Sequence, residues 1–258
     1  AKLAGAASRM RPEAVVLGSF GLAIAAGALL LWLPVSHGAD VGFGEALFTA
    51  TSAVCVTGLV VVGTGTAFTP FGQVVILVLI QLGGLGVMTF AALAFDLLGR
   101  RLSLRSEDAM STRLVQEGMA QGVGVHFRRM LGLGLSVEAV GAALLLAGLA
   151  PAEGIARGLR SAVFHAVSAF CNAGFSLYSD SLVRFRGNWL VVGTVAGLII
   201  AGGIGYPVLS DLWRNVRGAP RAGRWGWGGL ALHSRVTLLM TGALLAGGCL
   251  LLALTGTE

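Results

Sequence analysis

Two strings carry the chemistry this chain can offer: ALFTATSAVCVTG, Ala46–Gly58, and AVFHAVSAFCNAG, Ala162–Gly174, set 116 residues apart. Phe48 pairs with Phe164, Ser52 with Ser168, Ala53 with Ala169, Cys55 with Cys171 and Gly58 with Gly174. Neither string is a catalytic motif, and the three cysteines (Cys55, Cys171, Cys249) lack the spacing of a disulfide framework or a metal site. The four histidines are scattered, which speaks against a zinc or haem site. What remains is the backbone. A short apolar helix ending in a glycine-bearing return presents carbonyl oxygens, and carbonyl dipoles can replace the water shell of a desolvated cation.

A glycine at 58 or 174, taken alone, reads as a helix C′ cap. In the same place of a repeated string it reads better as backbone that must face a narrow axis with no side chain in the way. The backbone that would face it lies in the returns CVTGLVVVG, Cys55–Gly63, and CNAGFSLYS, Cys171–Ser179.

The elements that must position this backbone lie in a membrane. The 258 residues are 55% hydrophobic and 12% charged, with a mean hydropathy of +0.84; a soluble domain carries roughly 25% charged residues. Crossing a bilayer takes about 20 apolar residues, and five runs are long enough: Ala14–Leu33, Phe71–Leu98, Met130–Ala150, Asn188–Trp213 and Leu232–Leu254. Each string sits in a connection between spans, so the order is span, short element, span, twice over, then one more span. The first run is too long for a signal-peptide core and is read as a span.

Charge orients the chain. Of 18 basic residues, 14 fall in Lys2–Arg11, Arg100–Arg129 and Arg214–Arg235, which places the N-terminus and the 99–129 and 214–235 loops in the cytoplasm. Both short elements then enter from the external face in the same orientation and can surround one axis. Ten-odd residues cannot cross, so each should be a re-entrant helix that stops partway. Its non-helical return is tolerable at membrane depth only if protein buries it or it lines a cavity. The first helix is expected near Ala46–Ala53 with Glu45 favouring its exposed amides. The second is expected from Arg160 or Ser161, with Ser161 as cap, to Phe170.

Two further features bear on positioning. Gly83-Gly84-Leu85-Gly86 and Gly202-Gly203-Ile204-Gly205 repeat at an offset of 119. Such segments pack closely or bend, and packing is the expected role for both. Glu138, within an apolar run, must pair, face water or be protonated; it either hydrogen-bonds a neighbouring helix or joins an ion path. Gln81 is expected to satisfy a loose carbonyl.

On these residues the chain resembles a known family. TSAVCVTGLVVVGTGTAFTPFGQVVILVLIQLGGLGVMTF, Thr51–Phe90, is similar to the first pore unit of the Ktr/Trk/HKT superfamily of potassium transporters, and SAFCNAGFSLYSDSL, Ser168–Leu182, to the second. The start directly on the first unit's outer helix is most like the membrane subunit of the bacterial Ktr type. The resemblance implies an all-α polytopic membrane protein of repeated span–pore helix–span units, pseudo-fourfold when complete. Its units here would be 1–122, 123–230 and the beginning of a third at 231–258. It also implies a carbonyl filter at Cys55, Val56, Thr57 and Gly58, with Cys171, Asn172, Ala173 and Gly174, and potassium uptake with or without sodium dependence. The transported ion would be K+, with Na+ as an option, and no nucleotide would be bound by this chain. The implied location is the bacterial cytoplasmic membrane, and the implied partners are lipids, a second copy of the membrane subunit and a cytosolic ring of RCK-type nucleotide-binding subunits, without nucleic acid. Two filter segments make half a ring, so the other half is expected in a longer polypeptide. A carrier for another cation or solute, and a membrane scaffold without transport, are the alternatives.

Overall fold

The computed structural model describes residues 12–84, 86, 123–216 and 226–256. The expected 99–129 loop up to residue 122, the end of the Phe71–Leu98 span, most of the basic N-terminus and the middle of the 214–235 loop lie outside the described residues.

All the regular elements described are helices: α1 (Pro12–Trp32), α2 (Phe43–Val54), α3 (Thr64–Ala67), α4 (Pro70–Gly84), α5 (Val123–Glu153), α6 (Ile155–Phe170), α7 (Trp189–Val216) and α8 (Leu232–Thr255). Three segments, Arg128–Glu153, Trp189–Val216 and Leu232–Thr255, are long and apolar enough to cross a membrane, while α1 and α4 contribute shorter apolar stretches. The chain is a membrane protein by composition and helix length. Its described residues fall into two compact units, one drawn from residues 1–90 and 135–199, the other from 91–134 and 200–258.

In the first unit, α1 packs against α2 and α4 through small residues. A Cβ on Gly27 would lie 2.6 Å from Leu79 Cδ1, so α1 and α4 approach closely there and a larger residue would make the leucine side chain shift. Leu31, Ala50, Ala53, Ile76 and Ile80 are fully buried between these helices. Local sequence sets the ends. At the start of α2, Glu45 Oε2 accepts from the Gly42 N–H at 2.9 Å, satisfying a donor that the helix cannot. Before α4, Pro70 occupies the first position, where its missing N–H costs nothing. Thr69 Oγ1 there accepts from Gly72 N–H at 3.3 Å and donates to Val35 O at 2.7 Å, tying the cap to the end of α1.

The second half of this unit repeats the plan with different details. Gly141 and Gly148 of α5 receive Leu198 and Val191 of α7; an added Cβ would come within 2.7 Å of either side chain. Asn188 caps α7, its Oδ1 accepting from Leu190 and Val191 N–H at 3.2 and 3.3 Å, while its Nδ2 donates to Gly148 O at 3.1 Å.

The start of α6 corrects the sequence expectation. Helix begins at Ile155, not near Arg160, and Ser161 is buried inside it rather than capping it. The cause is Gly154, whose φ of 79° lets the chain turn sharply one residue after α5 ends. Residues 155–160 are the first turn and a half of the helix.

In the second unit, Asp211 Oδ2 accepts from Ala231 N–H at 2.8 Å and Ser234 Oγ at 2.7 Å, so the end of α7 fixes the start of α8. The apolar face of α8 is exposed throughout its most hydrophobic stretch, Leu244 at 75% for example. Such a surface suits lipid or further protein.

The glycine-rich segments behave differently in their two settings. Gly83 packs as expected: an added Cβ would overlap Val54 O at the end of α2, and one on Gly84 would lie 2.6 Å from Cys171 Sγ. Around Gly205 the packing expectation holds only in part, for Gly202 is buried. Nothing lies within 4 Å of an added Cβ on Gly203, and Gly205 leaves helical geometry at φ 80°, ψ 162°. Pro207 supplies the reason, since it cannot donate back along the helix and its ring excludes the regular turn before it. Here the segment is a break.

Candidate functional site

The two repeated strings end their helices in the same way. Cys55 and Cys171 are the C-cap residues, donating to Thr51 O and Val167 O, each at 2.9 Å. Next, Val56 N–H reaches Ala53 O at 3.2 Å and Asn172 N–H reaches Ala169 O at 3.0 Å. Then Thr57 N–H donates to Ser52 O at 2.8 Å and Ala173 N–H to Ser168 O at 2.7 Å. This pairing of bonds is a Schellman ending. Its left-handed residue is Val56 (φ 55°) in one copy and Asn172 (φ 58°) in the other.

That position decides what the glycines do. Gly58 (φ 78°) and Gly174 (φ 73°) sit two residues past the left-handed cap, so they are not the caps. Asparagine tolerates the left-handed region; a β-branched valine pays about 1–2 kcal/mol there, and such strain persists only where surrounding structure over-determines it. Nothing in the residue type of Val56 marks it for this conformation.

The two returns meet. A Cβ on Gly58 would fall 2.5 Å from Ala173 O and 3.1 Å from Gly174 Cα, and one on Gly174 would fall 3.4 Å from Gly58 Cα. Backbone faces backbone, with no room for a side chain at Gly58. Among the described residues, no hydrogen bond reaches the carbonyl oxygens of Cys55, Val56, Thr57, Gly58, Cys171, Asn172, Ala173 or Gly174. Eight acceptors in two touching segments are therefore free for another partner.

Neighbouring groups hold this backbone from behind. Ser168 Oγ donates to Phe175 O at 2.7 Å, closing the second return on its own helix, whereas the matching Ser52 Oγ is buried without a partner. His165 adds a link with no counterpart in the first copy, where Thr49 stands. Its Nδ1 meets Ser161 O at 2.7 Å, which makes Nδ1 the donor. Nε2 then accepts, from Ser176 Oγ at 3.0 Å and Leu177 N–H at 3.4 Å, so the ring is neutral in this arrangement. His165 also stacks on Tyr178, ring centroids 4.9 Å apart. Sequence reading passed over His165; the signal was a polar residue at the same place in both strings.

Glu138 takes its structural option. Gln81 Nε2 donates to Glu138 Oε1 at 3.1 Å, joining α4 to α5, and Cys171 Sγ lies 3.9 Å from the same oxygen. The expectation that Gln81 serves a loose carbonyl is thus corrected: a buried carboxyl group competes better for its amide. Glu138→Ala should destabilise the protein by about 1–3 kcal/mol by leaving that amide unsatisfied, and Glu138→Gln should restore most of the loss. Thermal unfolding of the detergent-solubilised variants measures both; equal stability of Glu138→Ala and the parent would show that the bond contributes nothing.

Residues 8–249 match the family described as TrkH, a cation transport protein. The chain belongs to this family. It is 40% identical over 237 residues to the Ktr system potassium uptake protein B of Bacillus subtilis, covering 92% of this chain and 51% of that protein. The protein of the same description from Vibrio alginolyticus is 39% identical over 244 residues, covering 93% and 51%. The potassium/sodium uptake protein NtpJ of Enterococcus hirae is 37% identical over 249 residues, covering 96% and 53%. The chain spans about half the length of these curated relatives.

Proposed function

We propose that this TrkH-family chain supplies two of four quarters of a potassium pathway through the bacterial cytoplasmic membrane. The observation that carries the reading is the contact of Gly58 with Gly174 between two returns whose carbonyls are free. A potassium ion stripped of water needs several oxygen dipoles at once. Cys55, Val56, Thr57 and Gly58, with Cys171, Asn172, Ala173 and Gly174, provide them from two sides, and two further units of a longer polypeptide complete the ring. Units at 1–122 and 123–230, with a third beginning at 231, fit this plan. Transport is dehydration at these dipoles followed by passage through a gate, driven by the membrane potential, with no covalent chemistry. The names of relatives include both potassium and sodium uptake, so sodium enters as a second ion or as a co-requirement.

The basic segments of the sequence place the N-terminus in the cytoplasm by the positive-inside rule. A second membrane subunit and a cytosolic nucleotide-binding ring of the RCK type are the partners this family plan calls for, with any nucleotide site on the ring. A solute carrier would need polar side chains free at mid-membrane, and the two foremost candidates, Glu138 and Gln81, are bonded to each other.

The test is uptake by the intact protein in vesicles with an imposed inside-negative potential. Rubidium entering as a potassium tracer, with potassium competing at least about tenfold better than sodium, is the expected result. Vesicles that accumulate neither rubidium nor sodium above protein-free controls would contradict the reading.

A further inference from the structure

A cavity of about 330 Å³ opens where α5 ends and α6 begins, between Tyr178 of the second return and Gln73 near the start of α4. Three buried oxygen atoms of its lining residues, Gln73 Oε1, Glu153 Oε2 and Tyr178 Oη, have no partner at full hydrogen-bond distance, although the Tyr178 hydroxyl lies near enough to Glu153 and Ser161 to interact with both. Buried polar atoms in this condition are rare and need an explanation. Gln73 is only 6% exposed, and its Nε2 already donates to Phe68 O at 2.9 Å, so the amide cannot turn round to hide its oxygen. Burial raises the Tyr178 phenol to about 12, which keeps its hydroxyl available as a donor.

The charges around these atoms narrow what could satisfy them. Arg157, Arg160 and Arg184 also line the cavity. Arg184 is occupied, donating from Nε and Nη2 to Asp180 Oδ1 at 2.9 and 2.7 Å, but Arg157 and Arg160 face the space with Glu153 as the carboxylate among them. A bare alkali cation would meet a rim with more positive than negative charge. A simple anion would meet Glu153 and leave two acceptors, Gln73 Oε1 and Glu153 Oε2, unsatisfied. A molecule carrying both signs answers both demands, and the volume lies in the lower range of small-ligand sites, roughly 300–1,000 Å³.

We propose that this cavity binds a small zwitterion, a primary ammonium joined to a phosphate or carboxylate. The ammonium donates to Gln73 Oε1 and Glu153 Oε2, and the anionic group accepts from the Tyr178 hydroxyl and the Arg157 and Arg160 guanidinium groups. Two sources offer that chemistry: the phosphoethanolamine headgroup of a membrane lipid and a free amino acid or phosphoethanolamine in solution. The cavity lies directly against α6 through Arg157, Arg160 and Ser161 and against the second return through Tyr178, which stacks on His165, so an occupant would brace α6 against α4.

Binding is read on the intact protein without any transport measurement, and so stands or falls separately from the potassium reading. In one arm, native mass spectrometry follows retention of phosphatidylethanolamine against phosphatidylglycerol from mixed micelles. In the other, the thermal transition of delipidated protein is followed with O-phosphoethanolamine or glycine. Retention of phosphatidylethanolamine alone assigns the lipid source, and a saturable rise with the soluble compounds assigns the free one. In either case Glu153→Gln and the pair Arg157→Gln/Arg160→Gln should weaken binding by about tenfold or more, as loss of a charge-assisted contact does. The pair lies on exposed positions and serves if Glu153→Gln fails to fold. The proposal is overturned if neither arm shows saturable binding, if binding is unchanged in the variants, or if potassium chloride alone gives the same stabilisation.

Discussion

Gly58→Ala in the intact protein should cut the preference for potassium over sodium by about tenfold or more. The new methyl group meets two obstacles. Alanine at φ 78° carries a cost on the order of 1–2 kcal/mol, and its Cβ would stand 2.5 Å from Ala173 O. The backbone must therefore move, and the neighbouring free carbonyls move with it. Since about 1.4 kcal/mol is a factor of ten in a binding ratio, displacing these dipoles by a few tenths of an ångström is enough. Gly174→Ala should be milder, because its Cβ meets only Gly58 Cα at 3.4 Å, an ordinary contact, although φ 73° still strains it. Sodium competition against rubidium uptake gives the ranking, and thermal unfolding shows whether each variant is folded. Unchanged discrimination in a folded Gly58→Ala protein would remove the glycine from the ion path.

A second large effect is expected at Gly83. Its Cβ would overlap Val54 O, a backbone atom that cannot rotate away. Gly83→Ala must therefore lever α4 off the end of α2, a cost of about 1–3 kcal/mol for overpacking. Val54 directly precedes Cys55, so the disturbance reaches the free carbonyls as well. Gly203→Ala is the control, for nothing lies within 4 Å of its Cβ, and alanine favours a helix over glycine by roughly 1 kcal/mol. Thermal unfolding in detergent should show Gly83→Ala clearly lowered and Gly203→Ala equal to or above the parent. The reverse order would mean that the close approach of α4 and α2 is not what holds this face together.

The contrast between these glycines shows where sequence reading stops. GGLG and GGIG look alike, yet the second breaks its helix at Gly205, and the reason lies outside the tetrapeptide. Pro207, two residues past Gly205, was the legible clue. The starts of α2 and α4 have local causes, since Glu45 and the Thr69–Pro70 pair act within one turn of the chain, although α2 begins at Phe43, three residues before the expected Ala46. The start of α6 was not legible in the same way, because it depends on the positive φ of Gly154, which the sequence does not display. Val56 is harder still. No local preference puts a valine in the left-handed region, so only the fit of the return against its surroundings accounts for it. The glycines of the two strings were legible from the repeat, but their contact with each other across 116 residues belongs to the fold.

The most direct measurement is anomalous scattering from rubidium in crystals of the intact protein. The account predicts a peak within about 3 Å of carbonyl oxygens from both 55–58 and 171–174, consistent with carbonyls replacing a water shell. Rubidium bound only to side chains elsewhere, with both returns free of it in crystals grown at saturating rubidium, would contradict the account.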